Sequence, residues 1–301
     1  MLREESDAVL HLIEKVTHNI TKYRNLIVDG PYLAYRSYNI PYRFITSTGL
    51  DATMINGFMK TLNFLRKKFD TQHTVIAWES KGTNLWRKRI YPSYKKKSNG
   101  RTKKYWSSIK SLQTLLYLLG VEQYFSPENE ADDVIGRLVK NKYNKNTIIF
   151  SGDKDLMQVV SESCHVYDGR TVYTPTEVKT RYQVMPYQIP DLLAITGDRS
   201  DNISGINGYG IFKTSRILEK YNTIENIDET DTLHKYMTKM KFNKKLTTLN
   251  YDCPLRPVPN TSFKTTETVE SILDMYELTQ IKENINEYKL LGSKGEIDEW
   301  L

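Results

Sequence analysis

Between Glu130 and Asp155 the chain gathers five carboxylates into two short stretches, Glu130-Ala131-Asp132-Asp133 and Asp153-Lys154-Asp155. Carboxylates a few ångströms apart repel one another by ~1–4 kcal/mol per pair at the effective dielectric of a surface or cleft. A chain that collects them therefore needs a counter-charge, and hard oxygen ligands in a cluster suit Mg²⁺ or Mn²⁺. Two such ions ~3.5–4 Å apart can activate a water and hold both the attacking and the leaving oxygen of a phosphodiester. A helix N-terminus that favours acids, followed by a polar loop, would account for either stretch alone. It accounts less well for both in one βα unit.

The elements that must position these acids are readable. Val134 to Val139 continues Glu130-Ala131-Asp132-Asp133 as the first turns of a helix, and Thr147-Ile148-Ile149-Phe150 is a buried strand that stops at Ser151-Gly152. Asn25 to Gly30 forms a strand ending in Asp29-Gly30, whose continuous apolar run suits a central parallel strand, and Thr74 to Trp78 forms a second strand, ending in Glu79. Helices are expected over Tyr32–Tyr38, Met54–Phe69 and Ile109–Leu119. An edge strand is expected over Val121–Phe125, and a hairpin turning at Asp168-Gly169. Strands alternating with helices imply an α/β, doubly wound, mainly parallel sheet. Such sheets carry function at the carboxyl ends of their strands, where Asp29, Glu79, Asp153 and Asp155 all fall.

The chain has 301 residues, 39% hydrophobic and 26% charged, enough for one large or two modest domains. Cys164 and Cys253 lie far apart without metal-ligand spacing, which disfavours a disulfide framework or zinc and points to a reducing compartment, the cytoplasm. No apolar run approaches ~18 residues, and the acidic N-terminus is unlike a signal peptide. The net charge of +7 is concentrated. From Lys81 to Val121 there are eleven basic residues and no acid, so the remainder sums to −4. Polyanion binding is the first reading. Trp86 to Lys97 interleaves aromatics with cations, as suits stacking on bases while tracking phosphates; a charge run is otherwise usually a solvated loop. No GxxxxGK[ST] is present, which disfavours a P-loop enzyme.

Residues 1–24 read as an amphipathic arm with Val9, Leu12, Ile13 and Val16 on one stripe. After about Met185 no strand pattern appears, so residues 185–301 are expected to be helical, with helices over Ile189–Ile195, Phe212–Lys220, Ser271–Tyr276 and Ile281–Leu291. Gly197-Asp198-x-x-Asp201-Asn202 leads into Gly205-x-x-Gly208-x-Gly210 before a helix. Glycines there let backbone N–H groups approach a phosphate at a helix N-terminus. The five histidines are scattered and read as structural or exposed. The Leu112/Leu115/Leu116/Leu119 stripe reads as core.

With these residues in hand, the chain resembles the 5′-nuclease, or flap endonuclease, family in its stand-alone phage or bacterial form, and the 5′-nuclease domain of DNA polymerase I. The resemblance rests on Leu26-Ile27-Val28-Asp29-Gly30, Arg87 through Tyr94-Lys95, Glu130-Ala131-Asp132-Asp133, Ser151-Gly152-Asp153-Lys154-Asp155, Gly197-Asp198-x-x-Asp201-Asn202 and the glycine turn, in order and spacing across residues 25 to about 220. It implies a PIN-like nuclease domain over 25–184 with a basic arch at about 80–110, and a C-terminal subdomain over 185–301 with a helix–hairpin–helix-type element. The implied activity is metal-dependent 5′→3′ exonuclease and structure-specific flap endonuclease action on DNA by two-metal-ion hydrolysis.

The resemblance also implies roles. Asp29, Glu79, Glu130, Asp132, Asp133, Asp153, Asp155, Asp198 and Asp201 would hold two Mg²⁺ or Mn²⁺, directly or through water. Lys95, with Asp29, Asp132 and Asp153, would be catalytic, stabilising charge on the scissile phosphate. Tyr94 would stack on a base, and Arg36 would contact phosphate. Arg87, Lys95, Lys96, Lys97 and Arg101 would line the arch. Gly205, Gly208, Gly210 and Lys213 would grip the duplex, where the resemblance allows a K⁺ on backbone carbonyls. The implied partner is DNA with 5′ flaps or 5′ ends, bound by a monomer without a membrane. Three positions depart from the family pattern: Glu79 stands at a usual Asp, Ser98 at a usual Arg, and Phe212 at a usual Lys, with Lys213 beside it. Two alternatives stay open: a PIN-like ribonuclease or RNase H-type activity on RNA–DNA hybrids, and a non-catalytic branched-DNA-binding relative. Nine acids near a phosphate speak against the latter, and the glycine turn speaks for duplex DNA.

Overall fold

The computed structural model describes residues 23–80, 84–96, 102–258 and 268–292. The arm expected over 1–24 lies outside them apart from Tyr23 and Arg24, as do Lys97 and Arg101. Strand β1 (Asn25–Asp29) is buried along its whole length and occupies the centre of the sheet. On one side it pairs in parallel with β2 (His73–Trp78), which pairs with β3 (Glu122–Phe125). On the other side lie β4 (Thr147–Phe150) and β5 (Cys164–Tyr167), also parallel. Short antiparallel strands close the edges: β6 (Val172–Tyr173) beside β5, and Arg256–Pro257 beside β3. The chain winds outward from β1 in one direction and then restarts at β4 in the other. The carboxyl ends of β1 and β4 therefore adjoin at the point where the winding reverses, the natural crevice of such a sheet.

The helices, in chain order, are α1 (Gly30–Tyr38), α2 (Thr53–Phe69), α3 (Trp86–Ile90), α4 (Lys103–Leu118), α5 (Ala131–Asn141), α6 (Pro175–Tyr182), α7 (Ile189–Thr196), α8 (Ile211–Tyr221) and α9 (Met237–Thr247), followed by short helices between 269 and 289. Alternate strand residues point to opposite faces. Leu26, Val28, Ile76, Trp78, Ile148 and Phe150 pack with α1, α2 and α4. Ile27, Val75, Ala77, Ile149 and Val166 pack with α5, α7, α8 and α9. Both faces are covered, which explains why the strands read as unbroken apolar runs.

Several expectations change. The second half is helical but also contains a ribbon, β7 (Gly197–Asp198) with β8 (Ile203–Ser204). Two residue pairs are too short to show an alternating pattern. The connector after Cys253 supplies the Arg256–Pro257 edge strand, so β3 is not the outermost. The last short helices do not join the preceding ones: Ile272, Leu273, Tyr276 and Ile281 enter the core on the α2/α4 face. The unit expected over 185–301 thus divides between the two faces of the sheet. Helix α4 starts at Lys103, earlier than expected, because Thr102 caps it by accepting the Tyr105 N–H. Among the described residues no helix is long and apolar enough to cross a membrane.

Candidate functional site

Asp29 ends β1 and caps α1. Its Oδ1 accepts the Tyr32 N–H at 3.0 Å and its Oδ2 accepts the Ser151 hydroxyl at 2.7 Å, which ties the ends of β1 and β4 together. Gly30 follows because a Cβ there would meet the Trp78 ring at 2.6 Å and the Ala77 carbonyl oxygen at 2.8 Å. Burial pushes the Asp29 carboxyl up to about 6; the Ser151 and Tyr32 hydrogen bonds oppose this, and the charges of Asp153 and Glu79 add to it. Glu79, one residue past β2, therefore lies in the field of Asp29 despite its extra methylene.

Beyond β4, the Asp153 Oδ1 accepts the Asp155 N–H at 2.9 Å and opens a 3₁₀ turn over Lys154–Val159. The half-buried Asp132, in the first turn of α5, has no hydrogen-bond or ion-pair partner among the described residues. Burial raises its carboxyl well above the ordinary range, and Asp153 and Asp29 raise it further. Asp29, Glu79, Asp132 and Asp153 thus share one field. A second group adjoins it. Carboxylate oxygens of Asp155, Asp198 and Asp201, all buried, lie within 4.8 Å of one another. Asp155 Oδ1 is buried with no hydrogen-bond partner. Burial raises the Asp155 carboxyl, and Asp153, Asp201 and Asp198 push the same way. Asp201 rises to about 6, chiefly by burial. Asp198 is held low instead: Lys154 lies 2.7 Å from its Oδ2, and the Ser200 N–H and hydroxyl donate to its Oδ1, together outweighing burial. All-carboxylate donors with an unpartnered buried oxygen fit a hard divalent cation.

Glu130 and Lys95 stand beside both groups. Lys95 Nζ is 2.6 Å from Glu130 Oε1 and 3.5 Å from Asp201 Oδ1, with its side chain 32% exposed. Burial would lower its pKa, but Glu130, Asp201, Asp132 and Asp153 hold it well above the ordinary range, so it stays charged. Its backbone is left-handed, φ 44°, a conformation that costs on the order of 1–3 kcal/mol and is held by its surroundings. Here the Lys95 N–H donates to the Asp201 carbonyl at 3.2 Å.

Three sequence expectations are corrected. Arg87, expected to contact DNA, is 4% exposed and donates to Asp133 Oδ1 and Oδ2 at 2.8 and 2.7 Å, to Glu130 Oε2 at 2.9 Å, and to the Leu246 and Thr248 carbonyls. Asp133, expected to be a metal ligand, is consequently held in an internal ion pair; its Oδ1 also accepts the Asn250 N–H and its Oδ2 the Glu130 N–H. Tyr94, expected to stack on a base, is 2% exposed; its ring packs with Ile203 and Leu246, and its hydroxyl lies 2.8 Å from Glu130 Oε2 and 2.7 Å from Asp201 Oδ2. All three touch Glu130. Glu130, bracketed by Lys95, Arg87 and Tyr94, has its carboxyl pulled below the ordinary range despite burial.

Ser151 escaped sequence reading; a hydroxyl directly after a buried strand, opposite an Asp at the end of another, was the available signal. Arg36 is exposed, donating to the Asp168 carbonyl and the Tyr32 hydroxyl at the rim, and Lys96 is exposed. At the glycine turn, Gly197 and Gly205 bring the backbones of β7 and β8 together: a Cβ at Gly205 would overlap the Thr196 carbonyl. Gly208 takes φ +81°, and a Cβ at Gly208 or Gly210 would meet nothing within 4 Å, so this chain's own packing does not require their bareness. Lys213 lies over the Tyr209 ring, 3.8 Å from its centroid.

Comparison with known proteins bears on both halves. The family model of the 5′-3′ exonuclease N-terminal resolvase-like domain matches residues 24–183, and that of the 5′-3′ exonuclease C-terminal SAM fold matches residues 184–271. The 5′-3′ exonuclease of Aquifex aeolicus is 36% identical over 205 residues, 67% of this chain and 71% of its own. The thermostable DNA polymerase I of Thermus filiformis is 30% identical over 285 residues, 90% of this chain, which spans only 34% of that polymerase. Among solved structures, a bacteriophage T5 flap endonuclease in complex with DNA and metal ions superposes with a TM-score of 0.63 at 19% identity, covering 88% of this chain and 99% of that one. Human GEN1 bound to Holliday junction DNA gives 0.55 at 11% identity, covering 90% and 72%. These structural likenesses are likenesses of fold.

Proposed function

The chain belongs to the 5′-3′ exonuclease family, and on that premise we propose that it is a divalent-metal-dependent 5′→3′ exonuclease and flap endonuclease that hydrolyses DNA by two-metal-ion chemistry. The observation that carries this reading is the convergence of buried Asp155, Asp198 and Asp201 within 4.8 Å beside Asp132, on which the charges of Asp153 and Asp29 act. The residues of each group would hold one Mg²⁺ or Mn²⁺, with Glu79 near the first and Glu130 between them. When bound there, the ions supply Lewis acidity, a more acidic water and neutralisation of charge on the attacking and leaving oxygens.

The chain's own groups do the rest. Ser151 and the Tyr32 N–H orient the Asp29 oxygens. Arg87 and Tyr94 fix Glu130. Lys95 keeps its proton among the acids and presents a positive charge to a phosphate entering the cleft, a preorganised electrostatic role. Arg36, Lys96 and Lys213 offer phosphate contacts at the rim and on α8, and Lys97 and Arg101 belong to the same basic segment. Gly208 and Gly210 leave backbone open to a duplex, with K⁺ on the turn's carbonyls. The substrate is DNA with a 5′ flap or 5′ end, as the flap endonuclease relative supports, acted on by a cytoplasmic monomer. RNA–DNA hybrids are the competing substrate.

The deciding experiment is Asp153→Asn on labelled flap DNA with Mg²⁺, with an EDTA control and a single-stranded RNA comparison. Cleavage should vanish while DNA binding persists. Cleavage that survives the substitution or EDTA sinks the reading.

A further inference from the structure

One concave surface lies outside the acid cluster. Along one side of α8, Phe212, Lys213, Arg216, Lys220 and Tyr221 line, together with Tyr209 and Asp231, a cavity of ≈ 490 Å³. Phe212 is 73% exposed and Ile211 41%. Isolated apolar residues on a surface are ordinary, but here a bare phenyl ring and two tyrosines line one hollow. Three cations surround it against one carboxylate, and that carboxylate is engaged: Asp231 Oδ2 accepts from the Tyr221 hydroxyl at 3.3 Å, and its Oδ1 accepts the Leu233 N–H at 2.8 Å. Lys213 already rides on the Tyr209 ring. Helix α8 buries Thr214, Ser215 and Leu218 on its other side, so this face contributes nothing to the core through Phe212.

A face built to hold only duplex phosphates needs cations and open backbone, not an exposed ring. Aromatic rings interleaved with cations at a hollow of this size fit one flat π-face carried on a phosphate chain. We propose that this hollow binds an unpaired nucleotide of a strand leaving the duplex held at the glycine turn, with its base on Phe212 and its phosphates on Lys213, Arg216 and Lys220. The proposal rests on DNA being the substrate, and it adds a binding site whose base and phosphate contacts lie 11–19 residues beyond Asp201 in sequence. It makes the Phe at position 212 a specificity determinant for tailed over blunt DNA.

The test uses the full chain in EDTA, so that it is independent of cleavage. The probes are a blunt duplex and duplexes carrying a short unpaired 5′ or 3′ tail with 2-aminopurine in the tail. Binding should quench the 2-aminopurine in one tailed probe. Phe212→Ala should abolish that quench and weaken the tailed probe by about five- to a hundredfold, the range for losing one stacked base, leaving the blunt duplex within about twofold. Phe212→Trp should restore both signals. Arg216→Met should weaken the tailed probe and flatten its salt dependence. Phe212 is exposed, so these variants should keep the parent melting temperature. Equal weakening of blunt and tailed probes, an unchanged quench, or a change of oligomeric state in place of a change in DNA binding would each overturn the proposal. If metal-dependent cleavage is absent but the quench behaves as described, the nuclease reading fails and this site stands.

Discussion

Arg87→Ala separates two views of the basic segment. In the structure the Arg87 guanidinium makes bonds to five acceptors: both Asp133 oxygens, Glu130 Oε2 and the Leu246 and Thr248 carbonyls. Asp133 is fully buried and Arg87 nearly so. Deleting one partner of such a pair leaves an uncompensated interior charge, at a cost of about 3–5 kcal/mol. At roughly 2 °C per kcal/mol for a chain of this size, the melting temperature should fall by about 6–10 °C. Asp133→Leu combined with Arg87→Met should recover most of that loss, because a buried pair replaced by apolar groups of similar volume is close to neutral. The assay is thermal and urea denaturation of the parent, Arg87→Met, Asp133→Leu and the double variant, as a double-mutant cycle, with Arg87→Ala alongside and DNA affinity measured well below the transition. If Arg87→Ala melts within about 1 °C of the parent while DNA affinity drops tenfold, Arg87 is a phosphate contact and the internal ion pair is not what holds α3, α5 and the 246–248 segment together.

Two further outcomes follow from the acids and the glycines. In metal-free protein, Asp29 and Asp201 titrate near 6 in the folded chain, above their ordinary value of 3.8. From about pH 4 to 6 the unfolded chain therefore loses protons that the folded chain keeps, so stability falls as pH rises through that window. Each group contributes on the order of 3 kcal/mol, and Asp132 and Asp155 act in the same direction while Glu130 and Asp198 oppose them. Melting temperatures in EDTA should decline across pH 4–6, and Ca²⁺ at neutral pH should raise them; a flat profile with no Ca²⁺ response removes the basis for a shared negative cluster. At the turn, Gly205→Ala must displace backbone at Thr196 and Gly197 and should destabilise by about 1–3 kcal/mol, whereas Gly210→Ala should leave melting unchanged and weaken duplex binding. Equal melting of the two variants would contradict the packing assigned to Gly205.

The strands that lead to Asp29 and Asp153 were legible because each is an unbroken apolar run with an acid at its end or shortly beyond it, a pattern that burial on both faces imposes. The alternation of strand and helix then placed those ends on one edge. The roles of Arg87 and Tyr94 were not legible. A stretch such as Trp86-Arg87-Lys88-Arg89 reads as solvated, and nothing local shows that one arginine in it finds acceptors 43 to 161 residues away. Helix α6 announced itself by Thr174-Pro175-Thr176-Glu177, a capping sequence with proline at the first helical position, yet its weak apolar stripe hid it. In α9 the buried positions include Asn243 and Thr247, which hydrogen-bond to carbonyls in α7 and β8, so a search for apolar spacing passes over them.

Asp155 belongs to the stretch matched by one family model, and Asp198 and Asp201 to the stretch matched by the other. A cation lodged among these three would act as a clasp between the halves of the molecule, and its departure would loosen that seam. Protease sensitivity near residue 184 would then serve as a gauge of occupancy, and a fragment cut at that boundary would lack two of the three jaws.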